Sequence, residues 1–350
     1  MPKRASRTRR AARPVRSWVR LRDEDLLKVR LCDLNLTVAD SRLARPMRRL
    51  YAELAGRGIA FRPHAWLAEE WFSPDGVPGI AVPFYLAHPR LERLERRMMH
   101  QVEGGNTRWL MRILRHEAGH ALDNAYRLRR RASWRETFGP ASLPYPQRYR
   151  ARPGSRRYVH HLGEWYAQAH PTEDFAETFA VWLKPNSNWR RAYAQWPAFQ
   201  KLCRVDELMA SVRDRTPPVR NRRRIESIAT DTRTLAEVYR DKLARRGSDR
   251  RGMIEELALK VFRAQPASRG TLRASTLIRS MKTQLVQSVS RELKIERYSI
   301  YQLLRMVTER CDALRLHVHG NRRDAGRHVR WMLIRLARLY AQGETPHFPL

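Results

Sequence analysis

The chain has 350 residues, 70 Lys and Arg against 35 Asp and Glu, and a formal net charge of +35. That length allows two domains with cores of their own, and no apolar run approaches the ~20 residues needed to span a bilayer. Cys32, Cys203 and Cys311 are too few and too far apart for a disulfide framework, so a stapled secreted scaffold is excluded and a reducing cytoplasm fits. A charge of this size attracts nucleic acid or anionic surfaces. The basic residues occur in every region, with runs inside Met1–Arg20 and at Arg220, Arg222, Arg223 and Arg224, and neither run is interleaved with aromatics that would stack bases. The expectation is loose, non-specific anion affinity and no insertion into a membrane.

In chain order, residues 1–20 read as a disordered basic arm that lacks the apolar run of a secretory signal. A helix is predicted from Ser41 to Leu54, ended near Gly56 and Gly58. Strand-like pieces follow at Ile59–Arg62, Ala65–Leu67 and 79–86. The last follows a Ser73-Pro74-Asp75-Gly76 turn signal and contains Pro83, which cannot donate to a ladder. It reads as an edge strand, either idle or able to take an extended peptide beside it. A helix over Leu91–Gln101 precedes the Gly104-Gly105 break.

Thr107–Leu128 has no proline and carries Leu110, Met111, Ile113, Leu114, Ala118, Ala121 and Leu122 at helical spacing, which predicts a buried helix. Inside it, Arg115-His116-Glu117-Ala118-Gly119-His120 reads His-Glu-x-x-His. Positions i and i+4 share a helix face, so His116 and His120 can aim two imidazoles at one ion, and Glu117 can reach a water on it. Buried without a partner, these groups would be costly; a metal supplies the partner.

Residues 131–164 are long and irregular, rich in Pro and Tyr, and are expected to rim the site; His160 and His161 read as loop histidines. His170-Pro171-Thr172-Glu173-Asp174-Phe175-Ala176-Glu177 then opens a second helix, with Pro171 suited to its first turn and Glu173 and Glu177 on one face. A catalytic zinc takes three protein ligands and one open position, so one carboxylate from this helix completes the set, and the other can orient a ligand histidine. Helices at Asn188–Gln195 and Pro197–Val212 close this part, and Asp214–Arg220, with Pro217-Pro218, reads as a linker. Beyond it, 230–246, 250–264, 270–292, 298–317 and 321–342 read helical, the last apolar on more than one face and so expected to be well buried.

The two segments RHEAGHALD at 115–123 and HPTEDFAETFAVWL at 170–183, with WFSPDGVPGIAVPFYLAHPRL at 71–91, resemble the bacterial zinc-binding metallopeptidases of the gluzincin type. The resemblance runs from about Leu31 to Leu208. It implies one Zn²⁺ per chain on His116, His120 and Glu173, Glu117 as general base, and Glu177 as the outer acid. The outer acid is Asp in better-known members, so Asp123 or Asp174 could share that role. Some gluzincins carry a Tyr seven residues before the ligand Glu, which falls on Tyr166; His170 competes with it as the group that stabilises the oxyanion. The implied fold is α+β: a mainly helical zincin-like metallopeptidase domain with a small sheet, followed by an all-α C-terminal region. The implied substrate is a peptide or protein. The expected organisation is a basic arm at 1–20, the peptidase domain at 21–213, a linker at 214–224 and a helical domain at 225–350.

Overall fold

The computed structural model describes residues 17–99, 102–146, 148–149, 152, 155–163, 165–247, 250–266, 271–295, 297–342 and 345–346. Most of the expected basic arm lies outside them. Its end does not: Ser17–Arg20 forms a 3-10 turn whose buried Trp18 donates from Nε1 to the Leu34 carbonyl at 3.1 Å.

The first part of the chain runs α1 (Asp23–Leu26), α2 (Ala44–Ala55), β1 (His64–Ala68), β2 (Gly79–Pro83), α3 (Pro89–Met99), α4 (Thr107–Tyr126), α5 (Ala132–Phe138), β3 (Arg148–Tyr149), α6 (Pro171–Leu183), α7 (Trp189–Ala192), α8 (Ala198–Ala210) and α9 (Leu235–Gly247). The second runs α10 (Arg250–Val261), α11 (Ala274–Ser280), α12 (Lys282–Leu293), α13 (Arg297–Ala313) and α14 (Arg322–Gln342), after which β4 (Thr345–Pro346) pairs antiparallel with β3. This is a mainly helical α+β fold with small sheets. One hydrophobic cluster runs from Trp18 to Tyr239, and a separate one runs from Ile254 to Ala337, built from the last five helices together with Phe262, Leu316 and Val318 of their connections.

The strand predicted over 79–86 stops at Pro83, and Phe84–Ala87 turns into a 3-10 helix. β2 pairs in parallel with β1, and the connection between them contains the Ser73–Gly76 turn, where Gly76 has φ 72° and Val77 N–H closes on Pro74 O at 3.0 Å. Its other edge is not free for a peptide. Ala81 N–H donates to Phe72 O at 2.9 Å and the Gly79 carbonyl accepts from Ser73 Oγ at 2.6 Å, and all five residues of the strand are buried.

The 214–224 segment is a strap against the core. Val219 N–H donates to Ala125 O at 3.1 Å, the Tyr126 hydroxyl to Arg215 O at 2.8 Å, and His64 Nε2 to Arg223 O at 3.0 Å. Residues 225–247 follow it into the first cluster. Ile228, Leu235, Val238 and Tyr239 are buried there, and Lys242 Nζ meets Glu95 Oε1 of α3 at 2.9 Å with both side chains buried. The first cluster thus reaches Tyr239 of α9, and the second begins at Ile254 of α10. In α14, Met332, Leu333 and Leu336 are buried as expected, but Trp331 is 46 % exposed. The 270–292 helix is broken at Met281 into α11 and α12.

Candidate metal centre

α4 starts where Asn106 caps it, its side-chain oxygen accepting from Trp109 N–H at 2.9 Å just after the Gly104-Gly105 break. It ends at Arg127, which sits in the left-handed region with φ 53°. Fifteen of its residues are buried, His116 and Glu117 among them. Three ties fix its orientation. Arg115 forks onto Glu53 of α2 through two bonds of 2.6 and 2.8 Å, both side chains buried. Asn124 holds the β1–β2 turn, accepting from Gly76 N–H at 3.1 Å and donating to Pro74 O at 3.0 Å. Against α6, Gly119 lets the backbones close up: a Cβ there would stand 3.0 Å from Ala176 Cα.

α6 begins with His170 as cap and Pro171 in the first turn, as its sequence predicts, and every residue after Pro171 is buried. Its Glu173 and Glu177 face α4 one turn apart. Glu173 Oε2 lies 3.0 Å from His116 Nε2 and 3.3 Å from His120 Nε2, and the two Nε2 atoms are 3.1 Å apart. A tetrahedral zinc with donors at ~2.0 Å separates them by roughly 3.3 Å. Among the described residues His116, His120 and Glu173 form the one group of three donors close enough to hold a metal ion.

The surrounding charges fit an ion at that point. Burial alone would lower the His116 pKa, but hydrogen bonds to the Glu173 and Glu177 carboxylates, and their charge, outweigh it and push it up to about 10. Burial works against the Glu173 carboxylate as well, yet the two histidines hold its pKa well below the ordinary range. A proton on His116 thus stands where a dication would sit. Glu117 is also buried, its Oε2 has no hydrogen-bond partner, and burial pushes its pKa up to about 7 against the pull of His116 and His120. An orphaned carboxylate oxygen beside three converging donors fits a metal with a water on it.

The other predicted residues separate. Glu177 Oε1 meets His116 Nδ1 at 3.0 Å, and its Oε2 accepts from Leu162 N–H at 2.7 Å. Asp123 and Asp174 do not share that position. Asp123 accepts from Arg129 N–H at 2.7 Å and Nε at 2.5 Å, closing the end of α4. Asp174 points at Lys201 Nζ of α8, 2.5 Å away. Tyr166 is buried with its ring 5.7 Å from that of His116, and burial, then Glu173 beside it, raise its pKa well above the phenol range. His170 is occupied: Nε2 donates to Leu143 O at 2.9 Å and Nδ1 accepts from Thr172 N–H at 3.3 Å. Both ring nitrogens thus have partners within the protein. His161 is buried with Nε2 on Arg112 O at 3.0 Å, and burial lowers its pKa to about 4.

Two contributors have no sequence signal. One is the Arg115–Glu53 pair. The other is Tyr145, whose hydroxyl donates to Glu173 Oε1 at 2.9 Å. It comes from the 131–164 stretch, which does meet the site but is less irregular than its composition predicts, since Trp134 and Phe138 of α5 pack on Phe175 with centroids 5.8 and 5.5 Å apart.

No curated protein and no solved structure matches the chain. Residues 90–213 match a family model described as "Putative zinc-binding metallo-peptidase". The stretch that carries α4 and α6 thus matches the family that its His-Glu-x-x-His and Glu173–Glu177 pattern resembles.

Proposed function

We propose that the protein is a zinc-dependent endopeptidase that binds one zinc per chain on His116, His120 and Glu173 and uses Glu117 as general base. The observation that carries this is the convergence of three donor atoms within 3.0–3.3 Å beside the buried, unpartnered Glu117 oxygen. A zinc ion there supplies Lewis acidity and a water acidified to a pKa of about 7. Glu117, with its Oε2 buried and unpartnered, would be the group to take the water's proton and return it to the leaving amine. Tyr166 keeps its proton, so its hydroxyl can donate to the oxyanion that develops on the scissile carbonyl. Glu177 holds His116 with Nε2 toward the metal. Leu143 and Tyr145 are 49 % and 48 % exposed at the rim of the site.

The test is metal content. Glu173→Gln loses zinc or binds it far more weakly, and His170→Ala retains it; the reverse pattern would exchange the two assignments. In the same reading, residues up to 247 form the peptidase unit and α10–α14 a second unit with its own core.

A second reading, association with nucleic acid, rests on α14. That helix turns Arg323, Arg327, Arg330, Arg335 and Arg338 to solvent around exposed Trp331. Binding to unrelated duplexes with similar affinity, falling steeply with salt, supports it; no binding at low salt removes it. No helix among the described residues is long and apolar enough to cross a membrane.

A further inference from the structure

Tyr145 is about half exposed, yet its hydroxyl position is fixed from several sides. It donates to Glu173 Oε1 at 2.9 Å and also meets the Thr172 hydroxyl. Its ring stacks on His170 with centroids 3.9 Å apart and planes 19° apart. His170 is held in turn by Leu143 O through Nε2, at 2.9 Å, and by Thr172 Oγ1 at Nδ1, at 2.7 Å. Ordering an exposed side chain costs rotamer freedom, and here the ordering delivers one phenol to one carboxylate oxygen.

That oxygen matters because of its twin. Glu173 Oε2 is the atom that faces both histidine Nε2 atoms. A carboxylate can bind a metal through one oxygen or both. A phenol donating to the second oxygen occupies a lone pair and leaves the first as the donor.

We propose that Tyr145 is a positioning residue that keeps Glu173 bound through a single oxygen and so preserves the open coordination position, with His170 clamping the phenol in place. This rests on the metal reading above. It also gives His170 a role at the site that needs no contact with metal or substrate.

The experiment loads the full chain with Co²⁺ and reads its visible absorption, which is much stronger for four-coordinate than for five-coordinate ions. Tyr145→Phe keeps the ring and its stack but removes the donor. The expected result is a weaker Co²⁺ band, as Glu173 closes both oxygens on the ion, and a fall in kcat of about 10–100-fold with KM little changed. His170→Ala shifts the band in the same direction by a smaller amount. Near-UV circular dichroism checks that the variants keep the parent's packing. A Tyr145→Phe spectrum identical to the parent's overturns the proposal and leaves Tyr145 as a pin for the 139–146 segment. A parent chain that takes up no Co²⁺ sinks the metal reading itself, and this proposal with it.

Discussion

Glu177 Oε1 lies 3.0 Å from His116 Nδ1 while its other oxygen accepts the Leu162 backbone N–H at 2.7 Å. A histidine bonded at Nδ1 presents Nε2 to the metal with its ring orientation fixed. Glu177 in addition ties the loop before α6 to the floor of the site. Glu177→Ala is expected to weaken zinc binding about 10–100-fold, measured by chelator competition. Asp174→Asn, which alters the pair with Lys201, leaves zinc affinity at the parent value. Equal effects of the two variants would remove Glu177 from the outer position.

The pKa of His116 sets a pH dependence. In the metal-free chain it is raised from its ordinary value near 6.5 to about 10. That gain stabilises the metal-free fold fully below about pH 6.5 and is lost as the pH rises through about 10. Zinc needs the neutral ring and must displace the proton. Between pH 7 and 9, zinc affinity is therefore expected to rise about tenfold per pH unit, with about one proton released per ion. Calorimetry in buffers of different ionisation enthalpy counts that proton; a heat independent of buffer contradicts the prediction.

Gly119 tests how closely α4 and α6 must approach. A Cβ there would meet Ala176 Cα at 3.0 Å and Phe179 Cδ1 at 3.2 Å. Gly119→Ala gains helix propensity of roughly 1 kcal/mol but has to push α6, and Glu173 with it, by a few tenths of an ångström. The expected outcome is weaker zinc binding with little change in the metal-free Tm, and Gly119→Val is worse on both counts. Unchanged zinc affinity in Gly119→Val would mean that the glycine reflects helix packing alone.

The site was legible in part because its chemistry lies along helices. His116 with His120, and Glu173 with Glu177, each repeat at i, i+4, and helical periodicity turns that spacing directly into a shared face. Tyr145 was illegible because it meets Glu173 across 28 residues through a path with no periodicity. Asp123 and Asp174 stand at reasonable sequence distances from the ligands, but spacing says nothing about competing partners. A backbone N–H six residues on claims the first, and a lysine of α8 the second. His170 is a candidate by residue type and place, and the sequence carries no sign that Leu143 O and Thr172 engage its ring nitrogens. Pro217-Pro218 is a linker signal in the sequence. Whether such a segment swings free or straps onto a core depends on its acceptors and donors, here Ala125 O, Tyr126 and His64.

The placement of α9 has a consequence for truncation. Ile228, Leu235, Val238 and Tyr239 are buried in the first core, at roughly 1.5–3 kcal/mol each. That sum is comparable with the ~5–15 kcal/mol by which a domain is stable. A chain ending at 247 is expected to fold and bind zinc, while one ending at 224 is expected to aggregate or melt far below it. Lys242→Met leaves the buried Glu95 without its cation and is expected to cost about 3–5 kcal/mol by denaturant melt. A 17–224 chain as stable as the 17–247 chain would show that α9 is dispensable.

Glu117 separates binding from chemistry. Its carboxylate touches no donor of the protein through Oε2, and its distance in role from the ligands is the central claim of the peptidase reading. Glu117→Gln is nearly isosteric, so zinc content and fold are expected to match the parent. The amide cannot accept the water's proton, and turnover is expected to fall about 10²–10⁴-fold, scored on a mixed peptide library by mass spectrometry. Because burial raises the Glu117 pKa to about 7 in the metal-free chain, and a bound cation lowers it, the acid limb of the parent's kcat/KM profile should lie below pH 7. That limb should vanish in the residual activity of the Gln variant. A variant that cleaves as fast as the parent, with zinc bound, leaves the ion a structural role and ends the assignment of Glu117 as base.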